Sequence, residues 1–275
     1  MMWRGALAMI DALGFKGIWS RPELHGDSDA VLVMFDALQA STKLAMDEMA
    51  REVADLERDE GLRTQIQVIY LSDTVVIGAA CEQKDGERSK DADAVALAVV
   101  GTIASHIQAQ ALLAIVPLTY RGCIAFGDFK LSPQFIVGPA VDEAASLMDL
   151  ADAALVWCTP SASAVVSSVK GPATADSADS PRLYLRDGVP LKGGRLYRTW
   201  IVSPFKTVPH TPQARLDYIR RGAGTFRKNV IEDEIKKQNT LAVWRREHKH
   251  YEHVASMREM RARRALREAA AQKKE

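Results

Sequence analysis

Apolar and polar positions follow two rhythms along this chain, and where one gives way to the other marks the elements. Gly5 to Ile10 is a short apolar run that ends at Asp11-Ala-Leu-Gly-Phe15, a carboxylate and a glycine at the close of a strand. From Asp36 to Glu60 the residues Leu38, Met46, Met49, Val53 and Leu56 recur at helical spacing, and Gly61 stands in the stop position. Ile66–Leu71 and Thr74–Ala79 are β-rich on either side of Ser72-Asp73, which predicts a hairpin with an acidic tip. Asp91 to Ile115 predicts a second long helix, with aspartates at its start and Pro117 after its end.

Leu118–Gly127 and Phe129–Leu131 read as strands, followed by Phe135-Ile-Val and a glycine. A helix is predicted over Ala140–Ala151, a strand over Ala154–Cys158 and a short helix from Pro160. Lys170 to Pro181 is a Gly-, Pro-, Ser- and Asp-rich loop, and two closing strands follow, Arg182–Leu185 and Gly194–Val202. After Pro204–Pro212 the pattern is helical, with a break predicted near Gly222-Ala-Gly224. There is no internal repeat. Hairpins mixed with helices in irregular alternation predict an α+β fold, a mostly antiparallel sheet sandwiched with helices, and a helical C-terminal extension. The expected division is 1–205 for the sheet-bearing domain and 206–275 for the extension.

Composition changes this picture only in part. The 275 residues suffice for a large buried core, which excludes fibrous and wholly disordered classes. Lys+Arg 36 against Asp+Glu 35 leaves a formal charge of +1, so no global field draws the protein to nucleic acid or an anionic membrane. That balance conceals a split. Residues 245–275 hold ten Lys/Arg against five Asp/Glu, and the rest hold 26 against 30. Cys81, Cys123 and Cys158 are odd in number and widely spaced, which argues for a reducing compartment and against a disulfide framework or zinc site. The longest apolar stretch, Ala94–Ala104, is shorter than the roughly 20 residues of a membrane span. Asp11 interrupts the first apolar run early, unlike a signal peptide. The expectation is a cytoplasmic protein with no membrane partner.

Asp11 and Asp73 are the candidate chemistry, because each interrupts an apolar, strand-rich run. Either alone could be a turn aspartate. Brought together by adjacent strands, the two would form a hard-oxygen site suited to Mg²⁺ or Mn²⁺.

Around these residues the chain resembles the class III nucleotide cyclases. Met9-Ile-Asp11-Ala-Leu-Gly14-Phe15 is similar to their first metal-binding motif and Ser72-Asp73-Thr-Val-Val-Ile-Gly78 to their second. Arg121-Gly-Cys-Ile-Ala-Phe-Gly127 resembles their phosphate-contacting strand, and Phe135-Ile-Val-Gly138-Pro-Ala-Val141-Asp142 the strand, glycine and helix start that complete the site. The resemblance implies that Asp11, Asp73 and the carbonyl of Ala12 hold two divalent ions, Mn²⁺ or Mg²⁺, over a nucleoside triphosphate. It implies that Arg121 clamps the β- and γ-phosphates, that Gly14 and Phe15 close over the triphosphate, and that the product is a 3′,5′-cyclic nucleotide. A head-to-tail homodimer with two equivalent sites is implied as well.

Departures from the family pattern concern the base. Ile69 stands where adenylate cyclases place a base-reading lysine, and Phe135 where they place its partner aspartate. Unpaired polar edges of a purine would cost roughly 1–3 kcal/mol each against such residues. In this the chain resembles the pyrimidine cyclases of bacterial Pycsar antiphage systems, whose cyclic UMP or cyclic CMP switches on a separate effector; UTP is favoured over CTP. An adenylate or guanylate cyclase, and an inactive cyclase-fold module that binds nucleotide or a partner, remain open. Asp142 stands at a family asparagine, where it could contact base or sugar or simply cap a helix, and Ser146 at the transition-state arginine. Arg121, Lys192, Arg195 and Arg198 are the cations that could substitute for that arginine. In the tail, Leu241, Trp244, His248, Tyr251 and Met257 mark a possible apolar face, and His248, His250 and His253 are read as solvated helix residues before a metal cluster.

Overall fold

In the computed structural model the described residues are 2–13, 28–59, 61–83, 89–113, 118–132, 135–168, 183–206, 212–228 and 234–272. Along the chain they form β1 (Trp3–Leu13), α1 (Ser28–Asp59), the hairpin β2 (Leu62–Leu71) and β3 (Thr74–Gln83), and α2 (Lys90–Leu113). Then follow β4 (Thr119–Ser132), β5 (Phe135–Val137), α3 (Pro139–Leu147), β6 (Val156–Cys158) and α4 (Pro160–Ser168). A second hairpin, β7 (Tyr184–Leu191) and β8 (Arg195–Val202), precedes α5 (Pro212–Lys228) and α6 (Glu234–Gln272). The strands make one sheet in the order β2-β3-β1-β4-β6-β8-β7, with β5 paired to the end of β4. Only the β4–β6 pairing is parallel, so the expected mostly antiparallel α+β sheet with helices on both faces is what the chain forms.

Side chains on successive strand residues point to opposite faces, and β1 shows the consequence. Ala6, Ala8, Ile10 and Ala12 enter one apolar cluster, with α1, α2 and α4. Leu7 and Met9 enter the other, with α3, α5 and α6. A central strand buried on both faces must be apolar throughout, which is why the run in β1 does not alternate.

The helix α2 begins where the Ser89 hydroxyl accepts the Ala92 N–H at 3.0 Å, and Asp91 and Asp93 lie in its first turn. It is longer than the apolar stretch visible in sequence. Lys90–Leu112 is long and apolar enough to cross a membrane, yet 72% of its apolar window is buried inside the protein, as in a core helix. All three cysteines are buried and none is in a disulfide.

Several elements depart from their expected bounds. The strand β1 runs through Asp11 to Leu13, because Asp11 keeps ladder partners on both sides, Thr74 of β3 and Arg121 of β4. Ser28, eight residues before the expected start, opens α1. The two strands expected over 118–131 are one continuous β4. Gly222–Gly224 does not interrupt α5, which packs Leu216, Ile219 and Phe226 into the second cluster and so offsets the poor helix propensity of two glycines. The loop expected over 170–181 lies outside the described residues.

The tail helix is fastened to the sheet by apolar and polar contacts together. Trp244 sits between Phe205 and Phe226, with ring centroids 5.4 and 5.0 Å away. Asn239 donates to the Asp152 carbonyl and the Ala154 N–H donates to the Thr240 hydroxyl, both at 2.8 Å. The buried carboxylate of Glu247 accepts the Ser203 hydroxyl, and the Ser203 carbonyl accepts the Ser105 hydroxyl of α2 at 2.6 Å.

Candidate functional site

Three strand ends bring the candidate residues together. Asp11 lies near the end of β1, directly opposite Arg121 of β4 in the ladder. On its other side Asp11 faces Thr74, whose hydroxyl donates to the Asp11 carboxylate at 3.2 Å. Asp73 occupies the two-residue turn between β2 and β3, and its carbonyl accepts the Ala12 N–H at 3.0 Å. Within that turn Ser72 has φ 59, the left-handed region that a non-glycine residue enters at a cost. The turn is thus held against both its own preference and the neighbouring strand, with Asp73 fixed beside Asp11.

Electrostatics inside this cluster is uneven. Burial raises the Asp11 carboxyl above its usual range, and the Asp73 charge raises it further. The Thr74 hydrogen bond and the Arg121 guanidinium pull in the other direction and do not prevail. Tyr120, buried next in sequence to Arg121, is likewise pushed up by burial first, with Tyr70, Asp11 and Asp73 adding to it. At Asp11, burial and like charge thus outweigh the neighbouring guanidinium.

Among the described residues Arg121 is the cation whose side chain reaches the cluster. Its Nη2 lies 3.7 Å from Asp11 and 2.6 Å from Asp149, a residue in the turn that follows α3. Its Nε is buried without a partner. Asp149 was invisible to sequence reasoning, because nothing in the Leu147-Met-Asp-Leu stretch distinguishes it from a turn aspartate. The signal lies in the return path of α3 along β4, where the Cys123 thiol meets the Ala144 carbonyl at 3.3 Å before the helix ends near Arg121. The β7–β8 turn reaches the same place. Lys192 donates its N–H to the Leu150 carbonyl at 2.9 Å, while Arg195 and Arg198 lie exposed farther along β8.

The base-side residues are dispersed differently. Ile69 is 8% exposed and belongs to the cluster under α3 that also holds Leu131 and, at its margin, Ile136. The end of β4 curls over β3, so that Phe129 and Leu131 occupy the space a side chain at Gly78 would take. Phe135 points the other way, 46% exposed, with the Lys130 ammonium 5.4 Å from its ring. Asp142 is exposed in the first turn of α3, whose N-cap is Gly138, and Ser146 is exposed one turn later. Gly14 and Phe15 lie outside the described residues.

Among the described residues no group of three or more His, Cys, Asp or Glu side chains is arranged as a metal cage, and the three tail histidines form none. Asp11 and Asp73 nonetheless suit a hard divalent ion. Both donors are oxygen, and a bound cation would offset both the burial that chiefly lifts the Asp11 carboxyl and the Asp73 charge that adds to it.

No protein-family model matches the chain, and no curated protein matches it. Among solved structures the chain is similar to the catalytic core of a rhodopsin-guanylyl cyclase with converted specificity in complex with ATPalphaS, at 13% identity and TM-score 0.44, over 74% of this chain and 97% of that one. It is similar to the guanylyl cyclase domain of the RhoGC fusion protein from the aquatic fungus Blastocladiella emersonii at 11% identity and TM-score 0.46, over 74% and 96%. For the adenylyl cyclase CyaB from P. aeruginosa the values are 15% and 0.37, over 74% and 95%.

Proposed function

We propose that this protein is a metal-dependent nucleotide cyclase that acts on a pyrimidine triphosphate, UTP ahead of CTP. The observation that carries the reading is the meeting of Asp11, Asp73 and Arg121 at three adjacent strand ends, in the chain order of the cyclase motifs they resemble. In this reaction the ribose 3′-oxygen bonds to the α-phosphorus, the bond to the pyrophosphate oxygen breaks, and the hydroxyl proton passes to water. Asp11, Asp73 and the Ala12 carbonyl would hold the divalent ions, which supply Lewis acidity at the 3′-oxygen and the leaving phosphates when bound.

The chain's own groups account for the remaining needs. Arg121 presents a planar guanidinium at a position 15% exposed, where a bidentate contact to phosphate is worth more than in open water. With Ser146 at the family's arginine position, Arg121 is the cation in the cluster among the described residues, and Lys192, exposed with its backbone on Leu150, is the next candidate. Ile69, buried in the core, and Phe135, turned outward, stand at the positions where the resemblance would put a purine-reading pair, and the loss of both polar groups is what supports a pyrimidine over a purine. The resemblance supports two chains assembled head to tail, and a product that signals to a separate effector.

Turnover of ATP, GTP, CTP and UTP, each with Mn²⁺ and with the cyclic products resolved by mass, tests the reading. Cyclic UMP or cyclic CMP is expected, and Asp73→Ala should abolish it while leaving the protein folded. Cyclic AMP or cyclic GMP as the main product would replace the pyrimidine assignment with a purine one. No cyclic product from any of the four would leave a nucleotide- or partner-binding module.

A further inference from the structure

Arg121 makes its shortest charged contact with Asp149, at 2.6 Å, and the proposed substrate needs the same guanidinium edge. Asp11 stands 3.7 Å from that Nη2 on the other side. The two partners differ in freedom. Asp11 is fixed within a central strand, between β3 and β4, whereas Asp149 is 60% exposed in a turn after a helix end. A phosphate arriving from solvent can displace Asp149 by rotation of one exposed side chain, whereas the Asp11 carboxylate is 21% exposed and is also held by the Thr74 hydroxyl.

We propose that Asp149 is a positioning residue that occupies the phosphate-facing edge of Arg121 until the triphosphate replaces it. The inference rests on reading Arg121 as the triphosphate clamp and adds a competing internal ligand to it. Two consequences follow. With no substrate, Asp149 keeps Arg121 extended at the mouth of the site and limits its collapse onto Asp11, the contact that would neutralise a carboxylate needed elsewhere. With substrate, the exchange of one charge-assisted contact for another lowers the net gain from the phosphate, so affinity is set below what Arg121 could deliver alone.

Calorimetric titration of the full chain with inorganic tripolyphosphate in the presence of Mg²⁺ tests this without turnover. Asp149→Asn should tighten binding roughly two- to fivefold, the range of one partly exposed ion pair. In an Arg121→Ala background the same substitution should have no effect, because its action runs through the guanidinium. A gain that persists without Arg121 would show general relief of repulsion and overturn the proposal, as would unchanged or weaker binding in Asp149→Asn, or no binding in either protein. In turnover assays the KM of Asp149→Asn should fall by a similar factor with kcat little changed. A chain that binds tripolyphosphate as described but makes no cyclic nucleotide would refute the cyclase reading and leave the Asp149 exchange standing. A chain that turns over normally with an unresponsive Asp149 would do the reverse.

Discussion

Gly122 is the residue on which the candidate site's geometry is most exposed to a single methyl group. It follows Arg121 in β4 and pairs with Ile10, the residue before Asp11. A Cβ built there would lie 2.7 Å from the Ile10 Cα and closer still to the Met9 carbonyl oxygen, where real Cβ atoms essentially never come within 3.0 Å of a neighbour. Both obstacles are backbone, so no side-chain rotation relieves them. In Gly122→Ala, β1 and β4 must part locally, and the parting falls on the adjacent Asp11–Arg121 pair. Overpacking of this kind costs about 1–3 kcal/mol. At roughly 2–4 °C per kcal/mol for a chain of this size, melting should fall by several degrees. Activity should suffer more, because a misplacement near 1 Å in a catalytic constellation costs on the order of a hundredfold in rate. Gly127→Ala on the same strand is the control, since its added Cβ would meet nothing nearer than the Ala140 Cβ at 3.6 Å. Scanning calorimetry and cyclic-product formation should therefore separate the two variants. Wild-type melting and turnover in Gly122→Ala would refute the claim that strand approach at this position sets the site.

Asp11→Asn should abolish turnover and raise stability at neutral pH. A carboxyl lifted by burial favours the folded state when protonated, so stability declines as pH rises from 3.8 through the folded value, and above that the ionised group is a standing cost. With a chelator present, the melting-temperature advantage of Asp11→Asn should be greatest near neutrality and vanish as pH falls toward 3.8; an advantage that grows in acid would show that the sign is wrong. Trp244→Ala removes a 4%-exposed ring wedged between Phe205 and Phe226 and should cost about 3–5 kcal/mol. One cooperative transition at lower temperature is expected, and a second transition split from an unshifted first would show that the tail helix folds as a unit apart.

Local chemistry made some of this molecule legible in advance and left other parts hidden. The β2–β3 hairpin could be read because two β-rich runs flank a two-residue polar interruption, and the turn falls on Ser72-Asp73. Asp11 was legible as an anomaly in an apolar run, though not as a strand residue, because pairing on both sides overrides the local preference of aspartate for a turn. The continuity of α5 through Gly222 and Gly224 was hidden for a similar reason, since burial of Leu216 and Phe226 outweighs propensity. Asp149 was illegible altogether. Its meaning comes from the antiparallel return of α3 over β4, a contact between residues 28 positions apart that no local pattern encodes.

The charge that governs this site is local. Asp11 and Asp149 contact one guanidinium and Asp73 adds its charge beside Asp11, so among the described residues the cluster carries two negative charges in excess when its carboxylates are ionised. A polyanionic substrate adds to that excess, and Lys192 is an exposed side chain whose fixed backbone lies beside Leu150. The bare cluster therefore repels what it is proposed to bind. Selectivity follows from that repulsion. On the proposed reading, a phosphate chain would enter in company with divalent charge and in a pose that engages Arg121. The basic side chains described in the tail, Arg245, Arg246, Lys249, Arg261, Arg263 and Arg264, lie in a different place, on the exposed side of a helix whose buried face holds Leu241, Trp244 and Tyr251 against the second cluster. A net charge of +1 for the whole chain thus averages two surfaces of opposite sign, and neither could be inferred from the sum.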